Sequence, residues 1–232
     1  MKGESKIESG EARRISRKEF KQDPKRYLSL YVVTDRKLSL GRTEEEVIEA
    51  AIRGGATAVQ LRAKDLPDDE FVGVAKRLRD LTGRFGVLYI VNDRVDIALA
   101  VGADGAHVGQ EDLPACRARE MLGDDRILGV TAETPEQAVK AEQEGADYLG
   151  TRAVFYTSTK QYTAPPLGLC GLREIVQAVK IPVVAIGGIN TDNARLVLST
   201  GVCGIAVVSA IVAQPDVESA ARAMRAVIGR AG

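Results

Sequence analysis

The chain has 232 residues, and 32 Lys plus Arg balance 32 Asp plus Glu, giving a formal charge of zero. That balance argues against nucleic acid or an acidic membrane as partner, and 4% aromatics without tryptophan provide no base-stacking platform. Hydrophobic residues reach 45%, so the core must be aliphatic, which suits buried parallel strands better than a β-sandwich.

Residues 1–26 carry Lys, Arg, Glu and Ser with few large apolar side chains, and read as a charged N-terminal extension, solvated or frayed. Residues 27–232 read as one α/β domain. Strand one, 30–33, ends in Thr34-Asp35-Arg36. Thr43 then caps a helix, with Glu46 at capping-box spacing and Gly54-Gly55 at its end. Strand two is expected at 58–61 with a helix over 67–82, and strand three at 87–91 with a helix over 94–101. Strand four falls at 105–108 with a helix over 114–122, and strand five at 127–130 with a helix from Thr134 to Glu144. Strand six is 148–150, followed by a long loop over 151–168 and a helix over 170–179. Strand seven is 182–186 with a helix from about Asp192, and strand eight is 204–208 with a helix over 216–229. Eight strand–helix units in roughly 205 residues predict a (β/α)8 TIM barrel. An open doubly wound sheet is the competing architecture, but no glycine-rich loop follows strand one.

Five polar clusters stand where strands should end: 60–64, 92–94, 110–112, 157–160 and 187–189. Chemistry in such barrels collects at the C-terminal ends of the strands. Asp93 and Asp112 would lie on neighbouring loops. Each alone reads as a helix cap, but the pair suits Mg²⁺, which takes one or two carboxylates with phosphate and water. Thr157, Ser158, Thr159 and Lys160 combine hydroxyls with an ammonium in the long loop, a set suited to phosphate. Arg62 and Lys64 follow strand two. Gly187-Gly188 and Val208-Ser209 follow strands seven and eight, where barrels often hold phosphate on backbone N–H groups. His107 is the single histidine and lies within strand four, which favours a structural role over acid–base chemistry. Cys116, Cys170 and Cys203 have no metal spacing and read as reduced thiols. Neither a membrane-length apolar stretch nor a signal-type segment occurs, so a cytoplasmic location is expected.

Six stretches carry a family resemblance: 32–36 (VVTDR), 59–62 (VQLR), 91–96 (VNDRVD), 107–112 (HVGQED), 157–160 (TSTK) and 185–189 (AIGGI). In this order they resemble thiamine phosphate synthase, over about residues 28–222. The resemblance implies condensation of a pyrimidine diphosphate with a thiazole phosphate, releasing diphosphate. It implies that Asp93 and Asp112 hold Mg²⁺. Gln60, Arg62, Lys64, Asn92, Thr131 and Lys160 would bind the pyrimidine diphosphate, with Arg62, Thr131 and Lys160 closest to the chemistry. Thr157, Ser158, Thr159, Gly188, Val208 and Ser209 would bind the thiazole phosphate. The family pattern is broken at four places. Thr131 replaces Ser, and Glu133 stands where His is common. Thr151-Arg152-Ala153 replaces a residue-Gly-Pro stretch, so Arg152 could crowd the site or add a phosphate contact. Val202-Cys203 replaces Ala-Asp. A related thiazole tautomerase is disfavoured because the Asn-Asp pair and the 157–160 loop are present and the histidine is absent at 133. A non-catalytic binding paralogue is kept open by Arg152 and Glu133. The oligomeric state, including a homo-oligomer, is left open.

Overall fold

The computed structural model describes residues 13–159 and 165–229. Eight parallel strands close into a barrel in chain order: β1 (Leu30–Val33), β2 (Ala58–Leu61), β3 (Leu88–Asn92), β4 (Gly105–Val108), β5 (Ile127–Ala132), β6 (Tyr148–Ala153), β7 (Val183–Ile186) and β8 (Gly204–Val207). Closure comes from β1 pairing with β8, where Tyr31 lies opposite Ala206. A helix follows each strand on the outside: α3 (Glu44–Arg53), α4 (Asp68–Phe85), α5 (Val95–Ala100), α6 (Ala115–Leu122), α7 (Pro135–Gln143), α8 (Gly168–Ala178) and α9 (Ala194–Leu198), with α10 (Ser209–Val212) and α11 (Val217–Gly229) after β8. The TIM-barrel expectation is therefore met.

Strand periodicity divides the side chains into two cores. Leu30, Val32, Val59, Leu61, Tyr89, Val91, Leu128 and Val130 face the helices in the outer core. Their alternates Tyr31, Val33, Ala58, Leu88, Ile90, Ile127 and Tyr148 fill the barrel interior. The same parity turns Gln60, Asn92, His107 and Thr131 inward, so the polar site is a product of register. The capping box forms as expected, with Glu46 N–H donating to Thr43 Oγ1 at 3.2 Å and Thr43 N–H to Glu46 Oε2 at 2.8 Å.

Two expectations need correction. Strands β5 and β6 run past 130 and 150, because Ala132 pairs with Thr151 and Ala153 with Ile186 across neighbouring strands. The loop after β6 is correspondingly shorter. The segment expected to be solvated is also different in its described part, 13–26. It forms α1 (Arg17–Gln22) and enters α2 (Pro24–Leu28), with N-caps Ser16 and Asp23. Ile15, Phe20, Tyr27 and Leu28 are buried against the barrel interior at its N-terminal end. Arg17 Nε meets the fully buried Asp147 Oδ1 at 2.7 Å, and Ile15 N–H donates to Asp104 Oδ1 at 2.8 Å. Arg17 of this segment thus neutralises a buried carboxylate of the barrel, whereas Arg13 and Arg26 stay exposed. Among the described residues, no helix is long and apolar enough to cross a membrane.

Candidate active site

At the C-terminal end of the barrel a cavity opens, with about 1030 Å³ of empty space including its mouth. Gln60, Arg62, Asn92, Thr131, Thr157, Thr159, Gly188, Val208 and Ser209 line it, so most of the expected residues converge on one space. Lys64, Asp93 and Asp112 sit beside them, joined to one another. Ser158 is outside the wall, and Lys160 lies outside the described residues.

The carboxylates are held by local geometry. Asp93 adopts a left-handed backbone, with φ of 61°, a conformation that Asp tolerates better than most residues but that still costs energy. Its N–H donates to His107 O at 2.8 Å across β3 and β4. Asp112 Oδ2 accepts from Gly109 N–H at 2.8 Å, so this side chain ties back the loop after β4 instead of capping α6. Burial, reinforced by a hydrogen bond and like charge from Asp112, pushes the Asp93 carboxyl up to about 6, with Lys64 Nζ, 3.5 Å from Asp93 Oδ2, pulling it down. Two all-oxygen donors in mutual contact fit a small hard dication, which would replace the shared proton. Among the described residues no group of three or more His, Cys, Asp or Glu could hold a metal, so phosphate and water must complete such a shell.

Arg62 is fixed through strand β1. Its N–H donates to Thr34 Oγ1 at 2.9 Å, and Thr34 Oγ1 donates to Arg62 O at 3.2 Å. Its guanidinium lies 4.0 Å from the Asp35 carboxylate. Opposite, Gly187 and Gly188 have φ of 95° and 67°, which favours glycine. A Cβ at Gly188 would stand 2.7 Å from Phe155 Cβ, so the loop carrying Thr157 and Thr159 closes directly over bare backbone. Ser209 opens α10, and the first amides of a helix have no partner within it.

Sequence reasoning missed the floor. Tyr31, His107, Tyr148, Val184 and Ile186 line its depth, and Glu133 lines the wall. Inward parity on the strands was the available signal. His107, assigned a structural role, belongs to the cavity wall and hydrogen-bonds Tyr148 and Thr131. Arg152 stands outside this wall. It does not line this cavity but a smaller neighbouring one of about 350 Å³, with Phe155, Tyr156, Thr157, Pro165 and Pro166, and Thr157 lines both. The slip in register between Gly150 and Ala153 accompanies that displacement. Val202 is buried and Cys203 packs against the interior core, consistent with a packing change.

Residues 30–211 match the family described as thiamine monophosphate synthase. The chain belongs to that family. It is 53% identical over 202 residues to a thiamine-phosphate synthase of Moorella thermoacetica, covering 87% of this chain and 96% of the relative. The corresponding Chloroflexus aurantiacus protein is 56% identical over 199 residues, covering 86% and 92%. A solved thiamine phosphate pyrophosphorylase from Pyrococcus furiosus superposes with a TM-score of 0.83 at 48% identity, covering 90% of this chain and 98% of that one. Membership in the family and the barrel geometry agree: the matched segment spans β1 to β7, all of β8 and most of α10.

Proposed function

We propose that this chain, a transferase of thiamine biosynthesis by family, joins 4-amino-2-methyl-5-hydroxymethylpyrimidine diphosphate to 4-methyl-5-(2-phosphoethyl)thiazole. The products are thiamine phosphate and diphosphate. One observation carries the reading. A single cavity is lined both by Gln60, Arg62 and Asn92, with the Asp93–Asp112 carboxylate pair next to Asn92 at its edge, and by the Thr157, Thr159, Gly188 and Ser209 cradle. Two anionic reactants can therefore meet with their phosphates held apart.

The pyrimidine methylene–oxygen bond breaks, and its electron pair leaves on the diphosphate. The thiazole nitrogen then gives its lone pair to the methylene carbon, forming the new C–N bond. The cationic methylene is stabilised by the electron-rich pyrimidine, which favours dissociation before attack. No general base is required, because the attacking nitrogen carries no proton. Arg62 and Lys64, together with Lys160, would stabilise the charge growing on the leaving group. Asp93 and Asp112 would hold Mg²⁺, which when bound supplies further positive charge against that diphosphate. Tyr31, Tyr148 and Ile186 give the floor an apolar surface for a ring, and Gln60 and Asn92 add polar groups beside it. The protein's share is mainly orientation and charge placement.

The test is diphosphate release from purified protein with both substrates, with Mg²⁺ and with chelator. Equal amounts of diphosphate and thiamine phosphate, abolished by chelation, are expected. Binding without release would sink the transferase reading and favour a non-catalytic paralogue.

A further inference from the structure

A line of buried polar atoms runs beneath the cavity. Gln60 Nε2 donates to Tyr31 Oη at 2.9 Å, and Tyr31 Oη lies 2.9 Å from Tyr148 Oη. Tyr148 Oη lies 3.1 Å from His107 Nδ1, and His107 Nε2 lies 2.9 Å from Thr131 Oγ1. Distances alone do not say where the protons are, but with Gln60 Nε2 as the donor to Tyr31 a donor count does.

Tyr31 and Tyr148 are only 2% and 0% exposed, so each phenol proton needs an acceptor inside the protein. Burial also raises both phenols far above their ordinary range, keeping them protonated. Tyr31 Oη already accepts from the Gln60 amide. Were it also to accept from Tyr148, its own proton would have no acceptor among the described residues. Tyr31 therefore donates to Tyr148, and Tyr148 donates to His107 Nδ1. A ring whose Nδ1 accepts is neutral and carries its proton on Nε2. That proton goes to Thr131 Oγ1. An imidazolium, or the other tautomer, would set Nδ1–H against the Tyr148 hydroxyl and strand a buried phenol proton.

The last hydroxyl in the line belongs to Thr131, which is half-buried and lines the cavity. With its oxygen already accepting from His107, its proton is available to a ligand. The backbone is shaped around this arrangement. A Cβ on Gly129 would run into Tyr148 and His107, and one on Gly150 would come within 2.9 Å of His107 Cε1.

We propose that Gln60, Tyr31, Tyr148 and His107 form a directional hydrogen-bond relay that locks His107 as its Nε2–H tautomer and makes Thr131 a donor aimed at the anionic substrate. His107 is thus a positioning residue acting through Thr131. The substrate half of this inference rests on the reading of Thr131 as a contact of the pyrimidine diphosphate, whereas the tautomer half does not.

The chain has one histidine, so its imidazole nitrogens are assigned without ambiguity. Long-range ¹H–¹⁵N correlation spectra of the ¹⁵N-histidine-labelled full chain, at neutral pH and without substrate, should show a protonated Nε2 and a bare Nδ1. A protonated Nδ1, alone or together with Nε2, overturns the relay. Kinetics then test Thr131. His107→Gln restores an N–H near the Nε2 position and should keep turnover within a few-fold of the parent. His107→Leu removes the donor and should lower kcat about tenfold or more, the worth of one hydrogen bond to a charged group, with the KM for the thiazole phosphate unchanged. Equal losses in both variants, each shown to be folded by circular dichroism, would reduce His107 to a packing role. A parent enzyme with the expected tautomer but no diphosphate release would refute the reaction and leave the relay standing.

Discussion

Asp93 is the residue on which most of the site chemistry turns. Its carboxyl is raised to about 6 by burial and by Asp112. The folded chain therefore holds this proton more tightly than the unfolded chain does. The resulting contribution to stability is complete below the ordinary carboxylate range and is lost as pH rises through about 6. A cation needs the deprotonated pair, so Mg²⁺ affinity should move the opposite way. Titration calorimetry should find binding that weakens below pH about 6, by up to about tenfold for each further unit. A flat profile would remove Asp93 from the metal site. Asp93→Ala should depress turnover by more than about a hundredfold through loss of metal and diphosphate handling, and near-normal turnover would have the same consequence as the flat profile. Asp35 offers a subtler case, since it faces the Arg62 guanidinium at 4.0 Å. Asp35→Asn should raise the KM for the pyrimidine diphosphate several-fold and leave that for the thiazole phosphate alone, measured in steady-state assays with each substrate varied in turn.

At the scale of elements, α1 and α2 act as a plug on the end of the barrel opposite the cavity. Phe20 is fully buried, with its ring centroid 6.1 Å from that of Tyr148. Phe20→Ala should cost about 3–5 kcal/mol in urea unfolding, since a large buried ring would leave a cavity in a closed barrel. A loss below about 1 kcal/mol would mean that the plug detaches easily. Because Tyr148 also belongs to the polar line under the floor, the plug buttresses the site from below. Strand β6 gives a contrasting expectation. Arg152 projects towards the smaller cavity, so Arg152→Gly should leave both Michaelis constants unchanged. A shift in either would return Arg152 to the site.

For the whole molecule, closure of β1 on β8 leaves no free sheet edge, and the segment before β1 is tied to Asp104 and Asp147 in distant parts of the chain. Loss of the plug and loss of the barrel should therefore coincide. Circular dichroism and tyrosine fluorescence are expected to give one common urea transition, and separated transitions would show the plug to be an independent unit. The cavity and the plug occupy opposite ends of one barrel, so stability and chemistry are concentrated at different faces, as the architecture favours.

Much of this was legible along the chain, because it depends on local order. The alternation of apolar runs with capped helices announces eight strand–helix units, and each strand's C-terminal end is where Gln60, Asn92, Asp93, Thr157 and Gly188 occur. Barrel closure brings all strand ends to one face, so their convergence follows from counting units. Three features were settled only in the folded state. The charged residues 13–26 look solvated in isolation, yet Arg17 becomes an internal counter-ion because Asp147 is buried by contacts far away in sequence. Arg152 looks like an intruder, yet next to the slip in β6 register it lines a smaller cavity that meets the main one at Thr157. His107 looks like one more strand residue, and only the pairing of β4 with β5 and β5 with β6 brings Tyr148, His107 and Thr131 into hydrogen-bonding distance. Periodicity and capping are properties of neighbouring residues, whereas desolvation, register and proton direction are properties of groups that meet only when the barrel closes.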